Sequence, residues 1–150
     1  MNVNRFNFAL SDADYIDIVT RKTAHLFGSC AELGALASGC DAETREAMRE
    51  FGTSIGIAFQ IVDDHLDLIG DEAEVGKTLG TDLDKGKVTL PVIGLLAQLE
   101  EKKRREAEAV MSDPNAPGKR RFVLDLLDSH GLGSMALDRA DQFVREAKEK

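Results

Sequence analysis

Three carboxylates, Asp63, Asp64 and Asp67, fall within five residues of the segment FQIVDDHLDLIGD. They sit inside an apolar run and not on a polar stretch. On a helix turning about 100° per residue, Gln60, Asp63, Asp64, Asp67 and Asp71 share an arc of about 120° with Gly52, Thr53 and Gly56. Ile55, Phe59, Val62, Leu66 and Ile69 form one flank, and Ile57, Ile61 and Leu68 the other. A helix apolar around most of its circumference is a buried one, so the polar strip is expected to face an internal cleft. Carboxylates this close repel one another, and burial raises the cost. Either a cation sits among them or their pKa values rise. Asp63 and Asp67, at i and i+4, point the same way and can share a cation. A few carboxylates, completed by water and phosphate oxygens, are the ligand set of Mg2+. Helix capping does not account for all three, because caps do not come in threes inside a helix. His65 lies on the opposite side, which suits a core or edge histidine better than a metal ligand.

The stretch after these aspartates carries Lys77, Lys85 and Lys87. Beside carboxylates, lysines can hold phosphate oxygens whose neighbours sit on a metal. Solvated lysines in a glycine-rich loop are the plainer alternative. Lys22 is odder, because it shares a helical stripe with Tyr15, Ile18, Val19 and Leu26, where an apolar residue is expected. A snorkelling lysine and a functional one both fit. Gly76, Lys77 and Thr78 do not end a phosphate-binding P-loop: five residues separate Gly70 from Gly76 instead of four, and no strand precedes them. An EF-hand fails too, since counting from Asp63 puts Leu68 where the loop needs glycine.

These residues need elements to place them. Helices are expected over residues 12–27, 43–69, 119–129 and 132–148, and from residue 90 to 111 with a break near 99–101. Gly28 is expected to kink or end the first, and a small-residue helical stretch follows over 29–38. Asp41 is the N-cap of the long helix. Residues 70–87 read as a loop, long for a compact domain and so functional. Few prolines, 5% aromatic residues and abundant Ala, Leu, Glu and Lys favour an all-α fold. No repeat or linker divides the chain, so residues 1–150 are read as a single domain. Residues 41–84 hold 12 acidic and three basic residues, more than the whole net charge of -8. That balance argues against nucleic acid as a partner. No apolar run reaches the roughly 20 residues of a transmembrane segment, and the start does not read as a signal peptide. Cys30 and Cys40 form no metal or disulfide framework, which suggests a reducing, cytoplasmic setting.

FQIVDDHLD followed by GKTLGTDLDKGKVTLP resembles the second aspartate-rich motif and following loop of the trans-isoprenyl diphosphate synthases, or polyprenyl synthetases. RKTAHLF is similar to that family's KTA-L segment, and GCDAETREAMREFGTSIGIAFQ fits the approach to the motif. The similarity runs over residues 15–96, with three motifs in order. It implies an all-α fold of antiparallel helices of the isoprenoid synthase type around a deep cavity, and a prenyltransferase. Isopentenyl diphosphate would condense with an allylic diphosphate after Mg2+-assisted loss of the allylic diphosphate. Asp63, Asp64 and Asp67 would hold the metal, with Asp63 and Asp67 as direct ligands, and Lys77 would join them in catalysis. Lys22, Thr23, Gln60, Lys77 and Lys87 match positions that contact the allylic diphosphate.

The resemblance is partial, about half of the full fold. The first aspartate-rich motif, its arginines and the upstream isopentenyl diphosphate ligands have no counterpart here. Asp12, Asp14 and Asp17 do not replace that motif. The chain therefore reads as the C-terminal half of a synthase, inactive alone. The alternative is a non-catalytic or split subunit that completes or regulates a partner synthase. Self-association, or a complex with a chain carrying the first motif, is expected, because half a bundle exposes apolar helix faces. A terpene cyclase shares the architecture but would lack the loop pattern.

Overall fold

A computed structural model describes residues 4–71, 76 and 78–150, and among them every regular element is helical. Helix α1 covers Asp12–Val19, a π-helical segment Thr20–Ala24, α2 His25–Ala37 and α3 Ala42–Ile69. Then come a single turn α4 (Thr81–Asp84), α5 (Leu90–Gln98), α6 (Glu101–Ser112), α7 (Lys119–Ser129) and α8 (Met135–Lys148). The expected loop over 70–87 thus contains a short helix. The chain divides into two compact units, Met1–Asp12 with Asp63–Ala136, and Ala13–Val62 with Leu137–Lys150.

In the second of these, the end of the π segment and α2 meet α3 through glycine. A Cβ on Gly56 would lie 2.7 Å from Ala24 Cα, and one on Gly52 would lie 2.6 Å from Phe27 O. A Cβ on Gly28 would lie 2.4 Å from Thr53 Oγ1. Glycines therefore stand where the two backbones approach each other, which is the physical reason for them inside helices they would otherwise weaken. This corrects the expectation for Gly28: it neither kinks nor ends the helix, but lies buried within α2 against α3. Asp41 caps α3, its Oδ1 accepting the Thr44 N–H at 2.8 Å, and that bond holds its carboxyl below the usual range.

The real irregularity in the first long helix is the π segment. A π turn inserts about one residue relative to an α-helix, so everything after it is rotated by about 100°. Leu26, expected on the same apolar stripe as Tyr15 and Val19, is 68% exposed, while Tyr15 and Val19 are buried. Lys22 lies within the π segment itself, where the widened turn takes it off the stripe: it is exposed and does not intrude into that core.

The unit holding the aspartates has its own core. Leu68, Leu83, Val88, Val92, Leu95, Leu96, Leu99, Ala107, Met111, Val123, Leu127 and Leu132 form one buried apolar cluster. Leu99 and Glu100 are extended between α5 and α6, so the break expected near residues 99–101 is present. Pro91 is accommodated in the first turn of α5, where a missing N–H costs nothing.

Candidate functional site

The end of α3 places the three carboxylates. Asp64 and Asp67 are buried and Asp63 is half-buried. Asp67 is fixed on both oxygens: Thr81 Oγ1 donates to Oδ1 at 3.1 Å and the Asp82 N–H to Oδ2 at 3.0 Å. Its backbone carbonyl accepts the Gly80 N–H at 2.6 Å. The last turn of α3 therefore holds the start of α4 directly. Asp82 is ion-paired with Lys87, and the Lys87 N–H returns to the Asp82 carbonyl at 2.9 Å. Lys87, one of the sequence-predicted phosphate ligands, is thus tied to the aspartate turn through Asp82, while its side chain stays 45% exposed. Lys85 is exposed, and Lys77 lies outside the described residues.

In the other unit, Thr23 and Gln60 meet. Thr23 Oγ1 donates to Gln60 Oε1 at 2.8 Å in a partly buried contact. Both were singled out by resemblance, 37 positions apart, and the fold puts them in direct contact. Thr23 and Lys22 both lie in the π segment. π turns recur at functional sites because they redirect side chains that a regular helix would bury or scatter.

Among the described residues no group of three or more His, Cys, Asp or Glu side chains is gathered tightly enough to hold a metal by itself. Mg2+ does not require such a cage: it commonly uses one or two carboxylates and fills its shell with water and substrate phosphate. The donors present are hard oxygens. A carboxylate offers about four lone-pair sites, so the two bonds at Asp67 leave room for a metal. The donor chemistry of Asp63, Asp64 and Asp67 fits that ion. His65 is buried, with an Nδ1 that has no hydrogen-bond partner, and burial pushes its pKa down. Sequence reasoning missed Thr81, Asp82 and Arg120. Thr81 and Asp82 were visible within GTDLD, whereas nothing near Arg120 in the chain marks it.

The described residues define an all-helical protein whose longest helix ends in three aspartates, with Asp67 bonded to the turn that follows. Residues 1–127 match the profile described as Polyprenyl synthetase, and the chain belongs to that family. It is similar to the geranylgeranyl diphosphate synthase of Sulfolobus acidocaldarius, 42% identical over 139 residues, which is 92% of this chain and 42% of that enzyme. It is 41% identical over 90 residues to the heptaprenyl diphosphate synthase component 2 of Bacillus subtilis, covering 60% of this chain and 26% of that one. A polyprenyl synthase from Caulobacter crescentus, solved with calcium and isoprenyl diphosphate, superposes with a TM-score of 0.87 at 31% identity. That superposition covers 98% of this chain and 45% of the Caulobacter protein. The chain thus spans less than half the length of these relatives. The isoprenoid synthase fold expected from the motifs is present, in part. Among the described residues no helix is long and apolar enough to cross a membrane.

Proposed function

We propose that this chain provides the second-aspartate-motif half of an isoprenyl diphosphate synthase site, with residues 1–150 acting as one domain in the cytoplasm. Its substrates would be an allylic diphosphate and isopentenyl diphosphate. The observation that carries the reading is the Asp63–Asp64–Asp67 set on a half-buried helix end, stitched to a TDLDKGK turn. Asp63, Asp64 and Asp67 would hold Mg2+, which when bound offsets the negative charge gathering on the departing diphosphate. Asp67 holds the turn that carries Asp82, and Asp82 holds Lys87. Lys77 and Lys87 would bind diphosphate oxygens, with Lys77 also stabilising the leaving group. Thr23 and Gln60, already bonded to each other, would fix the diphosphate beside Lys22. The calcium and isoprenyl diphosphate in the Caulobacter relative support a divalent cation and a diphosphate as the ligands.

The test is Mg2+-dependent binding of an allylic diphosphate by the purified chain and by Asp63→Ala. Binding that weakens about a hundredfold in the variant is the expected result, the scale of losing a metal ligand or its support. Equal binding by both proteins would remove the basis of the proposal.

A second reading is favoured by one observation. Leu26, Leu33 and Leu36 on α2, and Met48, Phe51 and Phe59 on α3, are exposed. Exposed leucines, phenylalanines and a methionine on two helices packed against each other suit a protein interface. On this reading the chain is a split or regulatory subunit, inactive alone, that completes a partner carrying the first aspartate-rich motif. The word component in the name of the Bacillus relative is in keeping with it. Prenyl transfer that emerges only on mixing with such a partner would support it, and full turnover by the isolated chain would count against it.

A further inference from the structure

Arg120 stands on α7, 52 positions after Leu68 in the chain. Its Nε donates to the Leu68 carbonyl at 2.8 Å and its Nη2 to the Gly70 carbonyl at 2.7 Å. Carbonyls of a helix's last turn have no partner within the helix, and their partial negative charge favours a cation. A planar guanidinium fork satisfies two of them at once, which a lysine cannot do. The aliphatic stem of the same side chain lies on Gly80. A Cβ at Gly80 would sit 2.9 Å from Arg120 Cδ, and the φ of +77° there suits only glycine without strain. Gly80 in turn donates its N–H to the Asp67 carbonyl.

One side chain therefore touches both ends of the 70–80 connection, at Gly70 and at Gly80. Asp67 is bonded to the residues that follow. We propose that Arg120 is a positioning residue for the diphosphate site: it holds the end of the aspartate helix and Gly80 in fixed register, and with them the Asp67–Asp82–Lys87 chain of contacts. The inference rests on the functional reading above. Without the guanidinium, the Leu68 and Gly70 carbonyls lose their donors and the side chain packed on Gly80 loses its anchor. The Asp67 turn, with Gly80 and the Thr81–Asp84 helix bonded to it, then has to be fixed at the moment a ligand binds, which weakens binding.

The test compares Arg120→Met, which keeps an unbranched stem on Gly80, with Arg120→Lys, which keeps the charge but not the fork. Inorganic pyrophosphate binding is measured by calorimetry on the full chain over a series of Mg2+ concentrations, with amide exchange followed at Gly70 and Gly80. The expected result is about a tenfold weaker pyrophosphate Kd for Arg120→Met, the scale of a lost charged hydrogen bond. Faster exchange at Gly80, recovery at high Mg2+ and a partial return in Arg120→Lys should accompany it. Unchanged binding or unchanged exchange in Arg120→Met, while Asp63→Ala loses binding, overturns the positioning role and leaves the reading of the site standing. Loss of binding only in step with a lowered Tm in both Arg120 variants also overturns it, in favour of plain stability. No Mg2+-dependent binding by the unmodified chain sinks the functional reading, and this inference with it.

Discussion

At residue scale the site is a set of polar groups that the fold has to keep satisfied. Each Asp67 oxygen accepts one bond, from the Thr81 hydroxyl and from the Asp82 N–H. Thr81→Val removes one of those bonds at nearly constant volume and is expected to lower stability by about 1 kcal/mol in urea unfolding. An unchanged urea midpoint would mean that the hydroxyl bond adds nothing over water. His65 behaves in the opposite way. Its Nδ1 is buried without a partner, and desolvation holds its pKa below 6.5. The folded protein therefore keeps it neutral while the unfolded chain takes up a proton below about pH 6.5. Its contribution is fully present above that pH and is lost as pH falls toward the folded pKa. His65→Leu is expected to flatten this acid limb below about pH 6.5 and to match or exceed the parent's stability, since no polar atom is left unsatisfied. A limb that persists in the variant would trace to carboxylates instead. The shared helical stripe of Gln60 and the carboxylates was legible in the sequence from periodicity, whereas Thr23 was marked by the resemblance alone and its bond to Gln60, 37 positions away, by nothing local. Arg120 was not legible, because a contact across 52 positions leaves no local pattern.

At the scale of elements, the glycines divide into two kinds that the sequence writes alike. Gly52 and Gly56 lie where α3 touches α2 and the end of the π segment, with would-be Cβ contacts of 2.6 Å to Phe27 and 2.7 Å to Ala24. Gly34, also helical, meets nothing within 4 Å. Alanine at Gly34 is expected to stabilise by up to about 1 kcal/mol through helix propensity. Alanine at Gly56 is expected to destabilise by about 1–3 kcal/mol, because backbone and Cβ atoms have to move apart. Opposite signs in urea midpoints check the crossing, and a gain at both positions would place the helices further apart than they stand here. The same contrast explains why Gly28 misled the sequence reading: a glycine at a helix crossing and a glycine that stops a helix look identical until the neighbour is known. The long helix, its Asp41 cap and the break after α5 were legible because each has a local cause. The π segment was not. Its only trace was Lys22 standing where an apolar residue belonged, a register error that one inserted residue removes.

At the scale of the whole molecule, the question is what the apolar surface of the unit built on α2 and α3 is for. Leu26, Cys30 and Leu33 fall within about 60° of one another around α2. Met48, Ile55 and Phe59 fall within about 40° around α3, with Phe51 at the edge of that stripe. The rings of Phe27 and Phe59 stack at 5.4 Å, so the two helices meet on an aromatic contact whose second member is 56% exposed. Folding leaves these groups in water at a cost that association would recover, at roughly 25 cal/mol for each Å² covered. Because the driving force is apolar, association should strengthen with warming from the cold and respond little to salt. Sedimentation over a range of concentrations is expected to show reversible self-association of the chain. Leu33→Glu and Phe59→Glu should each shift it toward monomer, since a charge opposite an apolar partner has to be desolvated. A partner carrying the other half of the fold, added in excess, should compete with self-association for the same face. A concentration-independent monomer that also ignores such a partner would mean that this surface is merely tolerated, and the split-subunit reading would lose its structural support.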